Sequence, residues 1–173
     1  MKDAPWLLAG VGELVPGETV NLDPAESRHA GGPLRLRVGS EVVLTDGAGR
    51  VATGTLSVLR RGTAEVSLDE VRELPPPVSV LSLAVGVLAG SAMDLVVQKA
   101  VELGVGAVTP VCCRRSLHGI ERASTRLDHW ARVGRQALKQ SRRAWKIDIG
   151  SPVDLAELVS QIDPFEGVVA HPE

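Results

Sequence analysis

The spacing of hydrophobic positions changes part-way along the chain. Up to residue 74 they fall in short runs separated by turn residues, a pattern typical of a small β-barrel. After residue 77 continuous apolar runs alternate with helical spacing, which predicts strands joined by helices. Three prolines lie between the two parts and favour an extended spacer. We therefore predict an all-β barrel over 1–74, a linker over 75–77 and an α/β domain over 78–173.

The first part is predicted to hold four strands and one helical turn. The strands are rich in β-branched and apolar residues and are bounded by turn signals. Glu26–Gly31 is predicted as the helical turn. Two leucines alternate with Arg35 and Arg37, so both arginines would point outward from one face of an extended segment. The predicted strands are Thr19–Leu22, Glu41–Thr45, Thr53–Leu59 and Thr63–Leu68.

The second part is predicted to form a parallel sheet with right-handed crossovers. Thr125 and Asp128 have capping-box spacing at the start of the longest helix. Ser151 and Pro152 carry the signals that begin a helix, and Gly104 is predicted to end one in the left-handed conformation. The predicted elements are strands at Val78–Val87, Ala107–Cys112 and Gly167–His171, and helices at Ser91–Leu103, at Thr125–Arg143 and from Ser151.

Positive charge is concentrated in one segment, although the net charge is only −2. Arg114–Lys146 holds ten of the 19 Lys and Arg residues and two carboxylates, a surplus of eight positive charges. Such clustering is the electrostatic footprint of a polyanion such as a nucleic acid. The alternative is a solvated helix whose last cations oppose the helix dipole.

The cysteines, the hydropathy and the histidine spacing argue against a disulfide-bonded, a membrane-spanning and a metal-binding protein. Cys112 and Cys113 are adjacent on a predicted strand, so they would face opposite sides and form no disulfide or metal clip. No signal peptide and no apolar run of membrane-spanning length is present, which predicts a cytoplasmic protein with no membrane partner. His29 has no second ligand at useful spacing, so no metal site is predicted.

Nine residues are candidates for contact with the polyanion. Those of the β part are equally explained as solvent-facing charges on a strand. Arg115 and Ser116 follow a strand end, where the sites of α/β proteins gather. The others end the basic helix, where the arginine fork suits a phosphate group. The candidates are Arg28, His29, Arg35, Arg37, Arg115, Ser116, Gln140, Arg142 and Arg143.

Other candidate residues have simpler explanations. Lys99 and Glu102 are three residues apart on a helix, so an ion pair is favoured over a catalytic role. Trp130 has the spacing of a core residue, whereas Trp145 fits packing and base stacking about equally. His171 is a candidate for a cofactor pocket, with an ordinary strand-end histidine as the alternative. No catalytic residue is identified.

Three blocks of the sequence resemble one known family. The first is His29–Glu41 with Leu44–Gly47. The second is Met93–Val111, leading to Arg115 and Ser116. The third is Gln140–Arg143, with Pro152 and Leu155 beyond it. Together they make the chain similar to the 16S ribosomal RNA uracil-1498 N3-methyltransferases.

The resemblance implies a PUA-like barrel that binds RNA, followed by a SPOUT methyltransferase domain whose parallel sheet is incomplete here. It also implies S-adenosylmethionine as cofactor, 16S ribosomal RNA of the small subunit as partner, and a homodimer. The family's glycine-rich loop and C-terminal knot are absent from the sequence, so the chain as given is expected to be inactive. Val87–Ala92 also lacks the lysine or arginine that the family carries there.

Three functions are compatible with these observations. The leading hypothesis is methylation of uridine N3, a nitrogen that must lose its proton in the reaction. The second is an RNA-binding module without methyltransferase activity. The third is an α/β enzyme acting on a small anionic metabolite, with the basic helix as a steering field.

Overall fold

The computed structural model describes residues 4–10, 14–78, 81–114, 116, 119–161 and 168–170. Contacts divide the chain into two compact units. Unit 1 comprises Met1–Ser79 and Gly134–Lys146, and unit 2 comprises Val80–Val133 and Ile147–Glu173. The first boundary falls close to the three prolines. Residues 134–146, placed by the sequence in the second domain, make their contacts in unit 1.

Unit 1 is built on a five-stranded sheet. Its elements are β1 (Trp6–Leu8), β2 (Thr19–Leu22), α1 (Pro24–Gly31), β3 (Glu41–Thr45), β4 (Arg50–Arg60) and β5 (Thr63–Glu73). The strand order is β1-β3-β4-β5-β2, with β1 parallel to β3 and the other neighbours antiparallel. Leu7, Leu44, Leu56 and Val66 are fully buried at its centre. The expected N-terminal β region is confirmed.

Helix α1 begins at Pro24 because Asp23 caps it. The Asp23 carboxylate accepts hydrogen bonds from the backbone N–H groups of Ala25 and Glu26 at 2.7 and 2.8 Å. Proline suits the first helical position because it has no backbone N–H that would need a hydrogen-bond partner there. The helix buries Glu26 and Ser27, so a carboxylate enters the interior of unit 1.

Unit 2 is a parallel α/β arrangement, which confirms the expected class. Its elements are β6 (Ser82–Gly86), α2 (Ala92–Leu103), β7 (Ala107–Cys112), α3 (Ile120–Ser124), the part of α4 (Leu127–Gln140) up to Val133, β8 (Asp148–Ile149), β9 (Val153–Asp154) and α5 (Leu155–Gln161). β7 lies between β6 and β8, and β9 pairs with β7 further along the same strand. All of these pairings are parallel.

Helix α2 follows the sequence pattern. Met93, Val97, Ala100 and Val101 are buried, as the helical spacing of apolar residues predicts. Gly104 ends the helix with φ 85°, a left-handed conformation that glycine adopts at little cost. Both predictions are confirmed.

The third helix is present as α5, but its predicted start at Ser151 is wrong. Val153 and Asp154 instead pair with Val111 and Cys112 of β7. Helix α5 begins one residue later, and the Asp154 carboxylate accepts a hydrogen bond from the backbone N–H of Ala156 at 2.8 Å. An available strand edge therefore outcompetes the local N-cap signal, and Pro152 precedes a short edge strand, where proline is tolerated.

The long helix has different ends from those predicted. Thr125 closes α3 rather than capping α4, because its hydroxyl donates to the Arg122 carbonyl at 2.8 Å. At the other end Arg142 takes a left-handed φ of 55°, and Arg143 N–H donates to the Leu138 carbonyl at 3.1 Å. These are the features of a Schellman motif, so α4 ends at Gln140.

Two strand predictions also need correction. The strand predicted at Val78–Val87 spans only Ser82–Gly86, and none of its residues is fully buried. It lies at one end of the strand order, so one of its edges is unpaired among the described residues. Of the predicted closing strand, 168–170 is exposed and forms no strand, while Gly167 and His171 lie outside the described residues.

Candidate nucleic-acid interface

The cations of Arg114–Lys146 are divided between the two units. Seven of the nine described ones are exposed, Arg143 is half-buried and Lys139 is buried. Those up to Arg132 belong to unit 2 and those from Arg135 to unit 1. The described cations are thus available to a polyanion except at Lys139, which is buried. The exposed cations are Arg114, Arg122, Arg126, Arg132, Arg135, Arg142 and Lys146.

Lys139 is used inside unit 1. Its Nζ donates to Glu26 Oε1 at 2.5 Å, and the two side chains are only 3% and 9% exposed. The other Glu26 oxygen accepts from the backbone N–H of Leu8 at 3.2 Å. A buried charge must be paired and hydrogen-bonded, and both conditions are met here. The pair holds the C-terminal half of α4 against α1.

The pKa of the neighbouring His29 depends on burial and on both members of this pair. Burial lowers the pKa of His29, the Lys139 ammonium lowers it further, and the Glu26 carboxylate partly opposes both. A pKa below the usual value of about 6.5 leaves the ring neutral at pH 7. His29 can therefore offer a hydrogen bond to a phosphate but adds no positive charge. Arg28, one residue earlier, is exposed.

Arg35 and Arg37 lie on a loop between α1 and β3, not on a strand. Arg35 has a φ of 51°, and Arg37 is held in a turn closed by Ser40. The expected alternation nevertheless holds, because both arginines are exposed while Leu34 and Leu36 pack against the core. The extended geometry predicted for this segment was wrong, and the outward direction of its arginines is confirmed.

Trp145 packs within unit 1 beside the end of α4. Its indole Nε1 donates to the Pro75 carbonyl at 3.2 Å, and its ring lies directly over Gly49. The segment is also tied down by the Gly49 N–H donating to the Ala144 carbonyl and the Lys146 N–H donating to the Gly47 carbonyl. The structure favours packing over base stacking for this tryptophan.

Several candidates of unit 2 have structural roles or lie outside the described residues. Ser116 accepts a hydrogen bond from Cys113 N–H at 2.8 Å and so closes a turn. Lys99 and Glu102 form the expected intrahelical ion pair at 2.6 Å. Trp130 is buried, as its spacing predicts. Arg115 and His171 lie outside the described residues.

A cavity of about 440 Å³ lies in unit 2, lined in part by Val87 and Leu88 just after β6. Helix α2 contributes Asp94, and the α3 region contributes Arg122 and Arg126. The loop Val87–Ala92 has no cation of its own, so the positive charge at this site comes from a segment about 30 residues further along the chain. Sequence reasoning singled out neither arginine individually, because their proximity to Asp94 exists only in the fold.

Asp94 is paired across the unit with His129 of α4. His129 Nε2 and Asp94 Oδ2 are 2.9 Å apart, with the two side chains 34% and 27% exposed. The two residues are 35 positions apart, so no local sequence motif predicts the pair. The contact joins α2 to α4 within this unit.

Comparison with known proteins supplies the context for these sites. A family model described as an RNA methyltransferase domain matches residues 75–173. The chain belongs to the RNA methyltransferase family. A second model, described as an RNA methyltransferase PUA domain, matches residues 22–69. This member of the family therefore has a PUA-like β region followed by a parallel α/β domain, as the resemblance implied.

Two curated relatives of this RNA methyltransferase family share a name. The chain is 30% identical to ribosomal RNA small subunit methyltransferase E of Synechocystis over 146 residues, 83% of the chain and 46% of the relative. It is 32% identical to the protein of that name from Aquifex aeolicus over 107 residues, 60% of the chain and 47% of the relative. The chain spans about half the length of these relatives.

A solved member of the family confirms the fold. The crystal structure of ribosomal RNA small subunit methyltransferase E from Neisseria gonorrhoeae, bound to S-adenosyl methionine, is similar to the chain with a TM-score of 0.82 and 28% identity. The match covers 93% of the chain and 66% of that structure. In the described part of the present chain, no helix is long and apolar enough to cross a membrane. The same residues contain no group of three His, Cys, Asp or Glu side chains that could hold a metal ion.

Proposed function

We propose that the protein methylates N3 of a uridine in small-subunit ribosomal RNA, corresponding to uracil-1498, with S-adenosylmethionine as methyl donor. The observation that carries the proposal is the joint match to an RNA methyltransferase domain and its PUA domain. The names of the relatives support ribosomal RNA as substrate, and the Neisseria structure supports the cofactor.

In this proposal, side chains of the described residues bind the phosphates of the RNA. In unit 1 the exposed Arg28, Arg35 and Arg37 would contact phosphates, together with Gln140, Arg142 and Arg143 at the end of α4. Phosphate contacts fix the register of a protein on RNA, and their strength falls steeply as salt rises. In unit 2 Arg115 and Ser116 remain proposed contacts at the end of β7.

The cofactor supplies a methyl group on a positively charged sulfonium, which a uridine deprotonated at N3 can attack. The cavity of unit 2 does not fit this group, because Arg122 and Arg126 outnumber the single carboxylate of Asp94 and would repel a sulfonium. His171 stays the only proposed cofactor contact. We therefore assign no described residue to the cofactor.

Gene deletion tests the proposal on the natural protein. Ribosomal RNA from cells without the gene is expected to lose one N3-methyluridine per small subunit, measured by mass spectrometry of nucleosides. An unchanged N3-methyluridine content contradicts the proposal and favours the RNA-binding module without activity.

Salt dependence tests the proposed RNA contacts of unit 1. The association constant K for a ribosomal RNA fragment is expected to fall as salt rises. Arg28→Gln and Arg37→Gln are each expected to make the slope of log K against log salt less steep by about one. The control is Arg72→Gln, because that exposed arginine is already paired with Glu70 at 3.0 Å. An equal change in slope for Arg72→Gln would show that unit 1 contributes only diffuse charge. Weak, salt-insensitive RNA binding by the parent chain would favour the small-metabolite enzyme.

A homodimer, which the resemblance implies, and a cytoplasmic location, which the sequence predicts, complete the proposal. Sedimentation and cell fractionation test them, and a monomer in solution would contradict the first.

A further inference from the structure

The cavity of unit 2 combines an apolar wall with a positive rim. Val87, Leu88 and Ala123 line it with apolar atoms. Arg122 and Arg126 line it from the α3 region, and both side chains are exposed. Its volume of about 440 Å³ lies within the range of roughly 300–1,000 Å³ common for small-ligand sites. A bare phosphate ion would leave most of this space empty.

Among the described residues, no carboxylate forms an ion pair with Arg122 or Arg126. Two unpaired guanidinium groups four residues apart make a fork suited to phosphate oxygens. The lining has one carboxylate, Asp94, which is hydrogen-bonded to His129, so the two arginines outnumber it.

Two buried polar atoms in residues of the lining have no hydrogen-bond partner among the described residues. They are Asp94 Oδ1, an acceptor, and Trp130 Nε1, a donor. Buried polar atoms in native proteins are nearly always satisfied, and an exception calls for a water, an ion or a ligand. Both atoms belong to side chains that line the cavity, but each is buried from water, so they mark unused hydrogen-bonding groups in its wall rather than exposed contact points.

We propose that this cavity receives one nucleotide of the RNA, with its phosphate held by Arg122 and Arg126. The nucleobase then lies against Val87 and Leu88, near Asp94 and Trp130. The Asp94–His129 pair is a positioning contact that fixes the wall between α2 and α4. The proposal deepens the proposed function, on which it rests for RNA as the ligand, and it assigns no catalytic residue.

The Trp130 indole N–H gives a direct readout. In an NMR titration of the 173-residue chain, uridine 5′-monophosphate is expected to shift this signal saturably. Uridine alone and inorganic phosphate alone are each expected to bind roughly tenfold more weakly, because each lacks one half of the ligand. A short uridine-containing RNA is expected to shift the same signal at lower concentration than the mononucleotide.

Charge-removing variants locate the phosphate. Arg122→Gln and Arg126→Gln are each expected to weaken mononucleotide binding about five-fold or more, since each removes a charge-assisted hydrogen bond. The matched control is Arg132→Gln, an exposed arginine of α4 that does not line the cavity. It is expected to bind within about two-fold of the parent chain.

Four results would overturn the proposal. They are a Trp130 signal that the mononucleotide does not move, phosphate binding as tight as mononucleotide binding, equal weakening by Arg132→Gln, and a mononucleotide that binds while RNA leaves the signal unchanged. The last would make the cavity a site for free nucleotides. The gene-deletion experiment is independent of the titration. If deletion removes N3-methyluridine but no nucleotide binds in this cavity, only the cavity proposal fails. If a nucleotide binds in the cavity but deletion leaves N3-methyluridine unchanged, only the methylation proposal fails.

Discussion

Lys139→Met is expected to lower the free energy of unfolding of unit 1 by about 3–5 kcal/mol, the usual cost of removing one partner of a buried ion pair. The substitution leaves the Glu26 carboxylate buried beside α4 without its cation. Methionine has a similar length, so the loss is electrostatic rather than a cavity. Urea denaturation measures the change, and hydrogen exchange of the β3 and β4 amides assigns it to unit 1.

Two further variants give this expectation its controls. Adding Glu26→Gln to Lys139→Met is expected to restore most of the stability, because the amide is neutral and its oxygen still accepts from Leu8 N–H. Lys99→Met removes an exposed ion pair and is expected to cost less than about 0.5 kcal/mol. A Lys139→Met chain as stable as the parent would mean that the pair is not maintained in solution.

Gly49→Ala is expected to destabilise unit 1 by about 3 kcal/mol, from backbone strain and a steric clash together. Gly49 has φ 102°, where a side chain is strained whatever space surrounds it. An added Cβ would also lie 2.9 Å from Trp145 Cη2 and closer still to Cζ2. The indole would have to move, and its hydrogen bond to the Pro75 carbonyl would be lost.

Gly39→Ala separates the two contributions to the Gly49→Ala effect. Gly39 has φ 90° and nothing within 4 Å of an added Cβ, so the substitution carries strain alone, about 1 kcal/mol. The difference in denaturation midpoint between the two variants then measures the clash with Trp145. Equal destabilisation would show that the indole does not rest on Gly49.

Local periodicity predicted the elements that need only an apolar face to form and do not depend on one particular contacting residue. Helix α2 needs only an apolar face and a glycine at its end, so Met93–Gly104 was recognisable from spacing alone. Strand β7 was predicted with its observed bounds, Ala107–Cys112, because a short β-rich run between turns has few alternatives. The family blocks and the concentration of arginine were also visible in the sequence.

Long-range pairing overturned the predictions that relied on local capping signals. Val153 joined an open edge of β7 although a serine and a proline before it suggested a helix. A hydrogen-bonding edge is a tertiary feature, and its free energy exceeds the small preference of an N-cap. The same reason explains Lys139, which reads as one cation among ten until Glu26 is found beside it.

The sequence by itself determined the class of the two parts and the excess of cations in Arg114–Lys146, because composition and period are local properties. Only the tertiary structure decided what those cations do. It buried Lys139 against Glu26, and it placed Arg122 and Arg126 around a cavity with Asp94. A charge acts through the groups within a few ångströms of it, and that distance is set by the fold rather than by position in the chain.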